Sequence, residues 1–333
     1  LDLLRPGAMA RVDFQDVPAA PRELLTGQTR AIPGIGIAPL AWVFRTLQDK
    51  GYAGPAQSTT IAPFVPVTKE MLRNPDDGDW LMWRRTFDGW GYSPLDQITR
   101  DNVGQLQMVW TRALAGGRQE GTPLAYDGVM FMPQASDVIE AIDAESGDLI
   151  WAHRRDLPED VYTHVGGNSR NSRHIGIYGR YIINTSDDNY VFGLDAVTGA
   201  LAWENQIFDY TVTPAGHSSG PIIADGKVIS GRSCRPMGGP DSCVIVDHDA
   251  RAGGELWRRH TIPKPGEPGD ETWGGVPWEQ RVHVGTWMPP SYDPERNVIY
   301  TGVGGPIPWG SGQRGTGDGD VLYTNSTLAL NAD

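Results

Sequence analysis

One segment occurs three times in this chain, and that repetition constrains the fold more than any local pattern. The copies read AIDAESGDLIW (Ala141–Trp151), GLDAVTGALAW (Gly193–Trp203) and DHDARAGGELW (Asp247–Trp257), with their tryptophans 52 and 54 residues apart. A fourth copy opens at ALNAD, Ala329–Asp333. Ahead of each copy stands a turn followed by a β-branched or aromatic run: DGVMFM at Asp127, YGRYIIN at Tyr178, DGKVIS at Asp225 and ERNVIYTG at Glu295. Unrelated hairpins sharing one turn type would not keep near-constant spacing across the whole segment. The pattern reads as a repeated antiparallel sheet. Glycine suits the T-G or S-G turn because it accepts positive φ without steric cost. An acid before it, such as Asp195, bonds the turn amides. A Trp at one fixed place fills the space between neighbouring sheets and gives its indole N–H a partner. Units of about 50 residues with four strands each fit an all-β propeller better than a sandwich.

Composition agrees. Glycine and proline are abundant, at 42 and 26 residues, as many short turns require, and the repeat accounts for part of an excess of 12 Trp. The net charge of −13 excludes a nucleic-acid groove. Two cysteines exclude a cysteine-rich metal site. Cys234 and Cys243 bracket SCRPMGGPDSC as a local disulfide, which would point to an oxidising compartment, or as two free small residues. Residues 1–65 read as an irregular extension and 66–333 as an incomplete propeller of about four to five blades, half of a larger ring. Within SPLDQITRDNVGQLQMVWT, Ser93-Pro94 opens a turn, Asp101 would cap a short helix, and Leu106, Met108 and Trp110 would start a strand.

The recurring A-x-D-x-x-T-G-x-x-x-W resembles the tryptophan-docking motif of the quinoprotein alcohol dehydrogenases, over roughly Trp80–Asp333. SPLDQITRDNVGQLQMVW resembles that family's entry to its first blade, and WMPPSYDPERNVIYTGVGG the stretch before its substrate site. The resemblance implies an eight-bladed propeller holding pyrroloquinoline quinone (PQQ) and Ca²⁺ near its axis. It implies oxidation of an alcohol in the periplasm, with cytochrome c or a quinone as electron acceptor, and a C-terminal half completing the ring. By the same likeness Glu120 in RQEGTPL contacts PQQ, Arg173 in NSRHIGIYG bonds the quinone oxygens, and Trp287 in GTWMPPSYDP lies under the rings. Ser218 in HSSGP and Ser233 in GRSC would hold PQQ carboxylates. A fixed cation beside the quinone oxygens suits the negative charge that develops on reduction.

The sequence also departs from the family. Adjacent cysteines that would face PQQ are replaced by Gly167 and Asn168, and the calcium ligands by Pro236 and Gly305, neither with a side-chain oxygen. Asp241 is a candidate substitute ligand. The family's catalytic aspartate follows the fourth docking motif, beyond Asp333, so no catalytic residue is assigned and the chain by itself is expected to be inactive. Asn331 belongs to the docking motif and is not a failed base. His164, His174, His217 and His283 lie near these segments and read as hydrogen-bonded loop groups. Asp187, Asp188 and Asn189 read as a turn, with calcium binding the weaker alternative. Gly304–Asp320 is glycine-rich without the P-loop lysine and reads as a long loop at the ring's mouth. A second reading, a non-catalytic scaffold similar to outer-membrane assembly propellers, gives no reason to keep Glu120, Arg173 and Trp287 together.

Overall fold

The computed structural model describes residues 63–166, 173–217, 219–234, 238–283 and 285–333. The extension read over 1–65 therefore lies almost wholly outside the described residues, as do Gly167, Asn168, Ser218 and Pro236. The chain divides into two compact units, with Asp96–Ala113 in one and 63–95 together with Leu114–Asp333 in the other. Among the described residues no helix is long and apolar enough to cross a membrane.

In the larger unit a short helix, α1 (Lys69–Arg73), is capped by Thr68, whose side chain accepts the Met71 amide. Three four-stranded antiparallel sheets follow. The first contains β1 (Leu124–Tyr126), β2 (Val129–Gln134), β3 (Val138–Asp143) and β4 (Leu149–Arg154) in sequence order. After the single-turn helix α2 (Val161–Val165) comes the second: β5 (Gly176–Tyr178), β6 (Tyr181–Thr185), β7 (Tyr190–Asp195) and β8 (Leu201–Gln206). A short strand, β9 (Ala215–Gly216), leads to the third, whose first two strands are β10 (Ile222–Ala224) and β11 (Lys227–Gly231). The excursion β12 (Ser233–Cys234) pairs with β9 before β13 (Val244–Asp249) and β14 (Glu255–His260) complete that sheet. Next, β15 (Val282–His283) pairs with β18 (Pro306–Ile307), and a fourth sheet orders β16 (Ser291–Asp293), β17 (Val298–Gly302) and β19 (Thr327–Asn331). The turn-plus-apolar runs seen in the sequence are thus β2, β6, β11 and β17. Strands β5 and β16 both lie against β10, which sets the first strands of successive sheets side by side, as blades around an axis require.

The repeat performs as its chemistry dictates. The turn glycines Gly147, Gly199 and Gly253 all have positive φ, between 71° and 77°. Asp143, Asp195 and Asp249 each accept two amides of the turn through Oδ1. Each repeat places its Trp opposite the same strand position: Ala141 faces Trp151, Gly193 faces Trp203 and Asp247 faces Trp257, with an irregularity in register at that point every time. Each indole then reaches the next repeat. Trp151 Nε1 donates to Ala196 O at 2.9 Å and Trp257 Nε1 to Ala332 O at 3.3 Å. Trp203 packs on Gly253, where an added Cβ would lie 2.4 Å from its ring, but its Nε1 is buried without a partner. Docking by packing is common to the repeat; the indole hydrogen bond is not.

Buried side chains from β1, β2, β5–β7, β11 and β13 form one continuous core. Ile222, Ala224, Ile229, Ile245, Tyr292 and Ile299 form a second that joins the third and fourth sheets. In the smaller unit two expectations fail. Val103–Gln105 is a single 3₁₀ turn preceded by Asn102, not Asp101, and Asn102 Oδ1 accepts the Thr99 amide. Leu106, Met108 and Trp110 are not in a strand; Leu106 and Met108 are exposed. Alternation becomes a strand only where a neighbour pairs with it, and none of the described strands does.

Candidate functional site

Glu120, Arg173 and Trp287, spread over half the sequence, meet in space. Arg173 Nη2 lies 2.7 Å from Glu120 Oε2, and the guanidinium carbon stands 5.2 Å from the Trp287 ring centroid. Backbone geometry brings them together. The Thr122 amide donates to Arg173 O at 2.7 Å, tying RQEGTPL to the strand that becomes β5. Gly121 passes so close to Pro133 that a Cβ would fall 2.3 Å from its carbonyl oxygen. Trp287 remains 39% exposed with Arg173 beside it.

Backbone contacts fix the segment that carries Trp287. The Thr286 amide donates to Arg232 O at 3.1 Å. Gly231 and Gly285 let these two segments touch: a Cβ on the first would lie 1.9 Å from Thr286 Oγ1, and one on the second 2.2 Å from Ser233 Cα. Ser233 is part of this contact, and β12 pairs it with Gly216, the residue before His217. Ser218, one position further, lies outside the described residues.

Three of the four histidines, His174, His217 and His283, are buried; the last two are hydrogen-bonded as expected, whereas both ring nitrogens of His174 lack a hydrogen-bond partner. Burial pushes His283 down to about 3. The Gly285 amide donates to its Nδ1 at 2.7 Å, so the ring proton sits on Nε2, 2.6 Å from Thr261 Oγ1. That hydroxyl in turn donates to Cys243 O. His283 therefore connects the Cys234–Cys243 disulfide loop to the segment that carries Trp287. Burial also lowers His174 to about 4, and its ring lies against Trp83. His217 is driven well below the usual range by burial, then by the charges of Arg232, His174 and Arg173. Its Nε2 is 2.7 Å from Thr185 Oγ1 and its Nδ1 is 3.4 Å from Arg232 Nη1. His164 instead sits partly exposed beside Asp160, at 3.5 Å.

Asp187 and Asp188 both have protein partners. Asp188 pairs with Arg155 at 2.8 Å and Asp187 accepts the Tyr162 hydroxyl at 2.9 Å, while the Asn189 side-chain amide is buried without a partner. Asp241 is exposed in a 3₁₀ turn. Among the described residues, the one group of three potential metal ligands is Cys234, Cys243 and His283, and its sulfurs are joined in the disulfide. Gly304–Asp320 is more ordered than a plain loop: β18 and a helical turn at Ser311–Arg314 lie within it. Sequence reasoning missed Arg232, Thr185 and Thr286 altogether.

Comparison with known proteins gives this geometry a context. The quinone-type alcohol dehydrogenase, dehydrogenase subunit, of Gluconobacter oxydans (strain 621H) is 34% identical over 281 residues, covering 77% of this chain and 36% of that protein. The solved structure of quinohemoprotein alcohol dehydrogenase ADHIIG from Pseudomonas putida HK5 superposes with a TM-score of 0.71 at 29% identity, covering 81% of this chain and 41% of the other. That of the quinohemoprotein alcohol dehydrogenase from Comamonas testosteroni gives 0.67 at 28% identity, covering 77% and 40%. The chain spans less than half the length of each. A family model described as the β-propeller domain of glucose/ethanol/alcohol dehydrogenase, PQQ type, matches residues 80–333. With three sheets docked through their tryptophans and a fourth begun, the chain belongs to the PQQ-dependent glucose/ethanol/alcohol dehydrogenase β-propeller family.

Proposed function

We propose that this chain supplies the PQQ-holding part of an alcohol dehydrogenase that oxidises an alcohol to an aldehyde or ketone. The observation that carries the reading is the meeting of Glu120, Arg173 and Trp287 in one ion pair and one cation–ring contact. A propeller serving only as a protein-binding scaffold has no use for that arrangement. The donor set suits a flat, anionic quinone: a fixed cation, a partly exposed indole, and buried polar atoms without protein partners at Ser219 Oγ and Arg232 Nε and Nη2. When bound, PQQ supplies a two-electron acceptor for the alcohol's hydride. Arg173 stabilises negative charge at the quinone oxygens, Glu120 fixes the Arg173 fork, and Trp287 provides the stacking surface. Ser233, and Ser218 in the sequence, are assigned to carboxylate contacts.

Calcium does not fit the described donors. A hard cation takes six to eight oxygens, several of them carboxylate. Here Gly305 offers no side chain, Pro236 no side-chain oxygen, and Asp241 stands without a second acid in a potential metal-ligand group. No step is assigned to the metal. For the electron acceptor we favour a cytochrome or a quinone, because relatives carry "quinone" and "quinohemoprotein" in their names. The Cys234–Cys243 disulfide supports the periplasm, an oxidising compartment.

Titrating PQQ into the chain while following tryptophan fluorescence tests the reading. Saturable quenching is expected, with most of it absent in Trp287→Leu. Unchanged fluorescence in both proteins, with no binding by calorimetry, would refute it.

A further inference from the structure

Among the described residues Arg232 is the largest fully buried side chain after Trp273, and two of its three guanidinium nitrogens are unpartnered. It lies between β11 and β12, with none of its surface exposed. Its Nη1 donates to Gly231 O at 3.0 Å and approaches Ser230 Oγ and His217 Nδ1, both at 3.4 Å. Nε and Nη2 have no partner. These two atoms form one side of the guanidinium fork, the side that receives both oxygens of a carboxylate in bidentate pairing. Asp137 and Asp187 are near enough to favour the charge. Neither forms a hydrogen bond with it: Asp137 accepts the Asp187 amide, and Asp187 accepts the Tyr162 hydroxyl. Burial lowers the guanidinium to about 9, which leaves it protonated at neutral pH. A buried cation with two idle donors is costly unless something anionic completes it.

Its position identifies the anion. The Arg232 carbonyl accepts the Thr286 amide, one residue from Trp287. His217, against its Nη1, is also lowered by the charge of Arg173. Arg232 is therefore a second cation, fully buried, tied to the Trp287 segment through its backbone carbonyl and to His217 through its side chain, in a neighbourhood where the described donors do not make a hard-metal site. We propose that the Nε/Nη2 edge of Arg232 binds a carboxylate of PQQ and supplies the positive charge that a metal ion would otherwise bring. This rests on the PQQ reading above. The contact is a salt bridge and transfers no atoms. Its consequence is that cofactor binding does not require a divalent cation.

The test is a PQQ titration of the full 333-residue chain by fluorescence and calorimetry, in EDTA and in CaCl₂, with PQQ trimethyl ester as a second ligand. Wild-type affinity for PQQ should agree within about twofold in the two buffers. Arg232→Gln should weaken PQQ binding roughly 10- to 100-fold, as expected for a lost charged hydrogen-bond pair, while leaving ester affinity unchanged. Arg232→Lys, which keeps the charge without the fork, should fall between. Undiminished binding by Arg232→Gln, equal loss for acid and ester in both variants, or wild-type binding abolished by EDTA would overturn the role of Arg232 alone. Absence of wild-type binding in both buffers would overturn the PQQ reading together with it.

Discussion

Replacing Gly199 with alanine tests whether the tryptophan of one repeat docks on the turn of the next. Gly199 has φ of +71°, and a Cβ there would lie 2.6 Å from Trp151 Cε3 and 2.7 Å from Cδ2. The indole cannot slide away cheaply, because its Nε1 is tied to Ala196 O and the ring is buried. Two costs therefore add: roughly 1–2 kcal/mol for an L-residue in the left-handed region, and roughly 1–3 kcal/mol for overpacking a filled site. Gly128 is the control. Its φ is +76°, yet nothing lies within 4 Å of the added Cβ, so Gly128→Ala carries the backbone cost alone. Urea unfolding of the two variants should differ by about 1–3 kcal/mol, with Gly199→Ala the less stable. In a Trp151→Leu background that difference should vanish, since the clashing ring is gone. Equal destabilisation at the two glycines, or an increment that survives loss of the ring, would refute inter-repeat docking.

Removing the disulfide with Cys234→Ser and Cys243→Ser should cost roughly 2–3 kcal/mol, the loop-closure value for so short a ring; unchanged urea stability would contradict it. Because His283 links that loop to Gly285, His283→Phe should also shift the fluorescence of Trp287 measured against a Trp287→Leu background, and identical difference spectra would count against the link. The pH dependence follows from buried histidines. His174 and His248 fall to about 4, His283 to about 3, and His217 is also lowered, so between those values and about 6.5 the unfolded chain binds more protons. Asp137 and Asp247, raised to about 7 by burial, act in the opposite sense over the same range. Four histidines against two acids leave stability rising from pH 4.5 to 6.5; a flat or falling urea midpoint would show that the acids dominate.

Much of this molecule was legible because its repeat couples sequence to geometry one position at a time. The Asp, Gly and Trp of each copy are required by a turn amide, a positive φ and an inter-sheet gap, and each leaves its residue type behind. Glu120, Arg173 and Trp287 were singled out through family contexts rather than spacing; the structure brings them together, and their role toward PQQ is the proposal made above. Arg232, Thr185, Thr286 and the His283 relay were not, because buried polar partners are joined by the fold and leave no period in the chain. The failed strand at Leu106–Trp110 shows the converse: alternation specifies a face but cannot supply a neighbour. Asp247 stands where the other repeats have Ala141 and Gly193, opposite the docking Trp, and its carboxylate is buried without a partner; nothing in the structure explains that acid.

The most direct measurement is a crystal structure of the chain with PQQ bound. The account predicts density for a planar tricycle stacked on Trp287, with its quinone oxygens at Arg173 and a carboxylate on Arg232. Density elsewhere on the molecule, with the Glu120–Arg173 pair and the Trp287 face untouched, would contradict it.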